Sequence, residues 1–279
     1  MTIAQDYLDI IDRIAESLDL PLIREIHIAH SDENPGKSSK FGAMVLDDES
    51  VGLTYVDLGH TLRDLQSRPE RYELIACSPL EAAQLYGGEA GWQRSLGMAA
   101  VNAISQYFIK CSGLALTESV KTMDLLAVEP SDHIGMVGYF PPLVEQIRAL
   151  NVPLTVIELD EKWQQQEKGF EVTLDPTRLS RCNKILCTGT ILVNQTLDAV
   201  LAHTGDAQQL YLIGPTVGCL PDPLFNRGVT AVGGCQVVDC AAFVGMWRTQ
   251  QRWRQATRRY SIFSGQYPGF ETLIENLPL

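Results

Sequence analysis

Apolar residues recur at spacings of three and four at the start of the chain. Tyr7, Leu8, Ile11, Ile14, Ala15 and Leu18 share one side, while Asp6, Asp9, Asp12, Arg13 and Glu16 take the other. That period predicts an amphipathic helix, ended by Pro21. Residues 24–29, 41–46 and 51–56 read as strands, the last two joined by the acidic turn Asp47-Asp48-Glu49; residues 31–39 read as a polar loop with Pro35 and Gly36. A helical period returns over residues 89–110, with Trp92, Leu96, Ala99, Ala100, Ala103, Ile104, Tyr107 and Phe108 on one face. Strands first and helices after predict an α+β unit over residues 1–115.

The rhythm then changes. Short apolar runs at 134–137, 154–157, 184–187 and 210–213 are each followed by small or polar residues. Helices are predicted over 142–150, after Pro141-Pro142, and from Thr190 through His203. Strand, turn and helix in alternation predict a doubly wound parallel sheet over residues 116–279, with strands buried on both faces. The expected fold is therefore α/β overall, an N-terminal α+β unit packed on a Rossmann-like sheet. Arg248, Arg252, Arg254, Arg258 and Arg259, interleaved with Trp247, Trp253 and Tyr260, are read as an arginine-rich C-terminal helix. It would either present an anionic-ligand patch or pair with acids of this chain or of a second copy.

Composition narrows the function classes. The 279 residues are 45% hydrophobic, enough for a sizeable core, and carry a net charge of −12, which disfavours a nucleic-acid partner. No run approaches a membrane span, and the acidic start is unlike a signal peptide. Seven cysteines, an odd number, do not suggest a disulfide framework, so a cytoplasmic protein with reduced thiols is expected.

In an open α/β sheet, ligands bind beyond the carboxyl ends of the strands. There the chain places Gly138, Tyr139 and Phe140; then Glu158; then Thr188, Gly189 and Thr190, with Asn194 a helical turn on; then Gly214, Pro215 and Thr216. Glycines let a ligand approach the backbone, and a strand-end acid twenty residues after Gly138 is suited to accept from ligand hydroxyls. A full dinucleotide fingerprint is absent. Asn102, on the long helix, would bring the first unit to this cleft or hold a buried inter-unit hydrogen bond. Cys219 and Cys235, expected in loops near the cleft, are the candidate soft-metal contacts, and no zinc-knuckle spacing is present. His27 and His30, three apart on a strand, face opposite ways. His133 lies at the wrong end of the sheet for a Rossmann-type site. Gly36-Lys37-Ser38 lacks the rest of a P-loop.

The ordered runs are more specific. Ile134-Gly-Met-Val-Gly138-Tyr-Phe-Pro-Pro-Leu143 precedes the strand ending in Glu158. Next come Leu186-Cys-Thr-Gly-Thr190-Ile-Leu-Val-Asn194-Gln-Thr-Leu197, Leu212-Ile-Gly-Pro-Thr216, and Gly228-Val-Thr-Ala-Val-Gly-Gly234 with Val237-Val-Asp239. Together with Val51-Gly-Leu-Thr54, Ser95-Leu-Gly-Met-Ala-Ala100 and Asn102-Ala103, they resemble the heavy-metal chelation family of uncharacterised bacterial and archaeal proteins. The resemblance implies a domain like the N-terminal domain of enolase packed on a Rossmann-like domain, with a joint cleft. Two function classes follow. One is a protein handling a transition-metal ion or metal chelate. The other is an enzyme for condensation, hydrolysis or methyl transfer on a chelator-, pterin- or flavin-like molecule. A homo-oligomer is compatible with either.

Overall fold

The computed structural model describes residues 2–29, 40–119, 121–205 and 207–277. The chain opens with helix α1 (Ile3–Ser17), capped by the Thr2 hydroxyl on the Gln5 amide. Strands β1 (Ile23–His27), β2 (Phe41–Leu46) and β3 (Val51–Tyr55) form an antiparallel meander in the order β1-β2-β3. Short helices α2 (Thr61–Gln66) and α3 (Pro79–Ala83) lead into α4 (Gly91–Cys111). The polar loop 31–39, His30 and Gly36-Lys37-Ser38 lie outside the described residues.

The one-sided reading of the long helix needs correction. Every residue of α4 from Ser95 to Gln106 is buried, apolar and polar alike. A helix enclosed on all sides needs small residues, because close approach leaves no room for side chains. Gly52 of β3 shows the scale: a Cβ there would lie 1.9 Å from the Ala99 carbonyl oxygen and 2.4 Å from the Ala103 nitrogen.

Among the described residues the second sheet has nine strands. After β4 (Thr117–Glu118) and α5 (Thr122–Leu126) come β5 (Ile134–Val137), α6 (Pro141–Ala149), β6 (Leu154–Ile157), β7 (Gln165–Glu167) and β8 (Phe170–Thr173). Then follow β9 (Lys184–Thr188), α7 (Leu197–Leu201), β10 (Gln209–Ile213), α8 (Asp222–Phe225), β11 (Ala231–Val237), α9 (Cys240–Arg248), β12 (Thr257–Phe263) and α10 (Phe270–Glu275). The order is β4-β12-β11-β10-β9-β5-β6-β8-β7. Its parallel strands, β8-β6-β5-β9-β10-β11, have the Rossmann order, and the direction of winding reverses between β5 and β9. β12 and β7 close the parallel run as antiparallel neighbours.

Two further expectations fail. The helix from Thr190 through His203 is broken into a 3-10 turn, Gly189–Leu192, and the short α7, because Asn194 turns its Oδ1 back onto the Thr196 amide and hydroxyl. The arginine-rich segment is not a helix. α9 stops at Arg248, Trp253–Ala256 is a 3-10 turn, and Arg258 and Arg259 lie on β12. Arg248 pairs with Glu25 at 2.8 Å and Arg258 donates to Gln236. One core cluster runs from Tyr7 and Met44 through α4 to Val217, Leu220 and Leu273.

Candidate functional site

At the reversal between β5 and β9, Gly138 takes φ +87°, and a Cβ there would meet the Thr188 side chain at 3.0 Å. Only glycine turns the chain so tightly here. Its amide donates to the Ile157 carbonyl, which carries the turn across to β6. Beyond β6, each Glu158 carboxylate oxygen takes a backbone amide, Oε2 from Tyr139 at 2.9 Å and Oε1 from Leu159 at 2.8 Å. The acid thus pins two loops together, and each oxygen keeps acceptor capacity for a further donor. Tyr139 stacks on Trp163 with centroids 4.9 Å apart and planes 18° from parallel. Phe140 caps α6 through its carbonyl.

Beyond β9, the Thr188 and Thr190 hydroxyls lie 3.0 Å apart, and Gly189 is packed beneath Val217. Beyond β10, Gly214 and Pro215 are half-buried and Thr216 is buried. Thr216 Oγ1 accepts from the Tyr55 amide at 3.0 Å. Asn102 Nδ2 donates to the Leu53 carbonyl at 2.6 Å and the Thr216 carbonyl at 2.9 Å. Thr216 and Asn102 therefore seam the two sheets together. Gly138, Tyr139, Phe140, Glu158, Thr188, Thr190 and Asn194 are half-buried, as Gly214 and Pro215 are.

Tyr55, at the edge of the first sheet, lies close enough to Glu158 to feel its charge, and sequence reading missed it together with its neighbours Lys40 and Asp57. Tyr55 ends β3, and Lys40 hydrogen-bonds its phenol and pairs with Asp57 at 3.2 Å. Burial pushes the Tyr55 phenol up, Lys40 pulls it down, and the charges of Asp57 and Glu158 add to the rise. Trp163 was missed on the other side. The only available signal was that Tyr55 follows directly on the Val51–Thr54 run.

The thiols are placed differently from expectation. Cys235 is on β11, not in a loop, and packs in a cluster with Phe243 and Trp247. Cys219 is in a loop but buried in the main core, its thiol donating to the Tyr7 hydroxyl at 3.0 Å. Burial raises both thiols, Cys219 to about 12. A soft metal takes the thiolate, which burial disfavours. Among the described residues, no group of three or more His, Cys, Asp or Glu side chains is placed to hold a metal ion. These residues do not fit a metal coordinated by protein side chains alone. No helix among the described residues is long and apolar enough to cross a membrane.

Comparison with known proteins agrees with this fold. Among solved structures, a DUF364-family protein of unknown function from Pyrococcus horikoshii superposes with a TM-score of 0.67 at 18% identity, covering 94% of this chain and all of that one. A DUF364-family protein from Desulfitobacterium hafniense gives the same score and identity over 93% and 99%. Likeness at that identity speaks for the fold alone. An uncharacterized protein of Methanocaldococcus jannaschii is 29% identical over 153 residues, 53% of this chain; the match spans 56% of that relative's length. Residues 121–262, half of the chain, match the family described as "Putative heavy-metal chelation". The chain belongs to that family, DUF364.

Proposed function

We propose that the chain binds a preformed metal–chelate complex in the cleft beyond the carboxyl ends of β5, β6 and β9. Residues 1–115 and 116–279 are then the two units that frame it. The observation that carries this reading is the Tyr139–Trp163 stack beside the anchored carboxylate of Glu158. Flat aromatic faces suit a conjugated chelator. Glu158 can accept from its hydroxyl or amine groups, and Lys40 can meet an acidic arm. The chelator, as cargo, supplies the metal's donors, which fits thiols that burial keeps protonated.

A second reading, chemistry on a chelator- or pterin-like molecule, is favoured by one feature. The Lys40–Tyr55 pair couples a cation to a phenol at the same cleft, an arrangement suited to proton transfer.

Calorimetric titration with the iron(III) complex of dihydroxybenzamide, whose amide N–H groups stay free to donate, beside Zn²⁺ alone, tests the first reading. The complex should bind saturably, and Tyr139→Ala and Glu158→Gln should each weaken it about ten- to a hundredfold. A complex that does not bind, or stoichiometric zinc lost in Cys219→Ser or Cys235→Ser, refutes it. Product formed from the chelator, lost in Tyr55→Phe, would move the assignment to the second reading.

A further inference from the structure

The opposite end of the parallel sheet holds a second polar assembly. His133 immediately precedes β5, Thr155 is on β6, Glu171 is on β8, and Arg181 ends the 3-10 turn Pro176–Arg181 before β9. They line a pocket of about 180 Å³ whose wall includes Phe170. At about 30 Å³ per water in the liquid, that is room for several waters or one small organic molecule.

Thr155 is the hub. Its hydroxyl, 1% exposed as a residue, lies 2.9 Å from His133 Nε2 and 3.1 Å from Arg181 Nη2. A guanidinium only donates, so Thr155 accepts from Arg181. Its own proton goes best to the imidazole, a better acceptor than the neighbouring Cys182 sulfur. That arrangement makes Nε2 the acceptor and puts the ring proton on Nδ1. Arg181 Nη2 also pairs with Glu171, which leaves Nε and Nη1 without a protein partner among the described residues.

The assembly is rigidly held. The His133 amide donates to Asn183 Oδ1 at 2.8 Å, and the Asn183 amide returns to the His133 carbonyl at 3.1 Å. Asn183 Nδ2 is fixed by Asp132 at 2.7 Å, and Asp132 is paired in the interior with Lys184 at 2.9 Å. A fixed donor set binds without first having to be ordered. Among its charged lining residues are Arg181, Glu167 and Glu171, and both acids are already paired, Glu167 with Arg148 and Glu171 with Arg178 and Arg181.

We propose that this pocket binds a small oxyanion, a carboxylate or a phosphate group, gripped by the unpartnered N–H donors of Arg181 and by Nδ1–H of His133. It is separate from the cleft at the carboxyl ends and does not depend on the function assigned there. One hydroxyl holds a guanidinium and an imidazole side by side, so the two repel once the imidazole is protonated, and a bound anion offsets that repulsion. Burial and then Arg181 hold the imidazole below its ordinary value, while Glu171 opposes them. Bound anion reverses that shift, so binding tightens as pH falls from about 8 to about 6.

The full chain is titrated with acetate and, separately, with inorganic phosphate, following the His133 ring by NMR. At least one anion should bind saturably below about 10 mM and more tightly at about pH 6 than at about pH 8. His133→Gln and Arg181→Gln should each weaken it about tenfold or more. Binding by acetate alone identifies a carboxylate ligand, and by phosphate alone a phosphate monoester. If Arg181→Gln fails to fold, Thr155→Val leaves both gripping side chains in place but frees them, and should also weaken binding. Saturation by neither anion, or binding that survives substitution of either gripping residue, overturns the proposal.

Discussion

Asn102→Ala should be among the costliest polar substitutions in the chain. Asn102 is fully buried in α4, and its Nδ2 holds the Leu53 carbonyl at 2.6 Å and the Thr216 carbonyl at 2.9 Å. Alanine would leave both carbonyls short of a donor in the interior, at about 1–3 kcal/mol each. Asn102 Oδ1 has no partner among the described residues, so its removal returns part of that cost. A net loss of about 2–4 kcal/mol is expected, against a total stability of about 5–15 kcal/mol. For a chain of this size the melting temperature should fall by roughly 4–15 °C. Urea unfolding followed by circular dichroism, beside calorimetry, measures both. Ser105→Ala is the matched control: Ser105 is in the same helix, equally enclosed, and its Oγ has no partner among the described residues. It should be neutral or slightly stabilising. A loss below about 0.5 kcal/mol for Asn102→Ala, or an equal loss for Ser105→Ala, would refute the reasoning.

Gly52→Ala should abolish soluble folded protein, because the new Cβ meets backbone atoms of α4 at 1.9 and 2.4 Å; a normal melt of that variant contradicts the packing. Burial, the largest cause in both, holds the His27 and His133 imidazoles below their ordinary value. The unfolded chain therefore takes up protons first, so stability should be flat above about pH 7 and decline as pH falls through about 6.5. Urea midpoints across that range, with the decline reduced in His133→Gln, check the sign. Ellman's reagent should titrate the half-exposed Cys77 and Cys111 in the folded protein, and Cys187 and Cys219 only after unfolding; fast labelling of Cys219 would contradict its burial.

What could be read from the sequence followed the apolar runs. β5, β6, β9 and β10 are buried on both faces, so each appears as a short, mainly apolar run. β7 is wholly exposed and β12 carries two exposed arginines directly after its first residue, so neither shows that signal. The arginines suggested a helix through their spacing alone, and only pairing with β11 decides the matter. At the strand ends, Gly138, Glu158 and Thr188 follow from chain order once the strands are known. The partners of Asn102 and Thr216 do not, since they lie 49 to 161 residues away. Lys40 and Tyr55 were hidden for the same reason. Cysteine spacing says nothing of burial, and burial is what determines how Cys219 and Cys235 behave.

The enclosure of α4 also has a consequence in time. The helix ends at Cys111, but Val217, Cys219 and Leu220, which belong to its core, leave the ribosome about a hundred residues later. At roughly 5–20 residues per second, the nascent chain carries for about 5–20 s an apolar helix that β3, α3 and α1 can cover only in part, its last face open. During that interval it is a substrate for holdase chaperones and for proteases. Stalled chains that expose only the first 200 residues should be cut within α4, and chains long enough to expose β10 and the loop after it should be protected there.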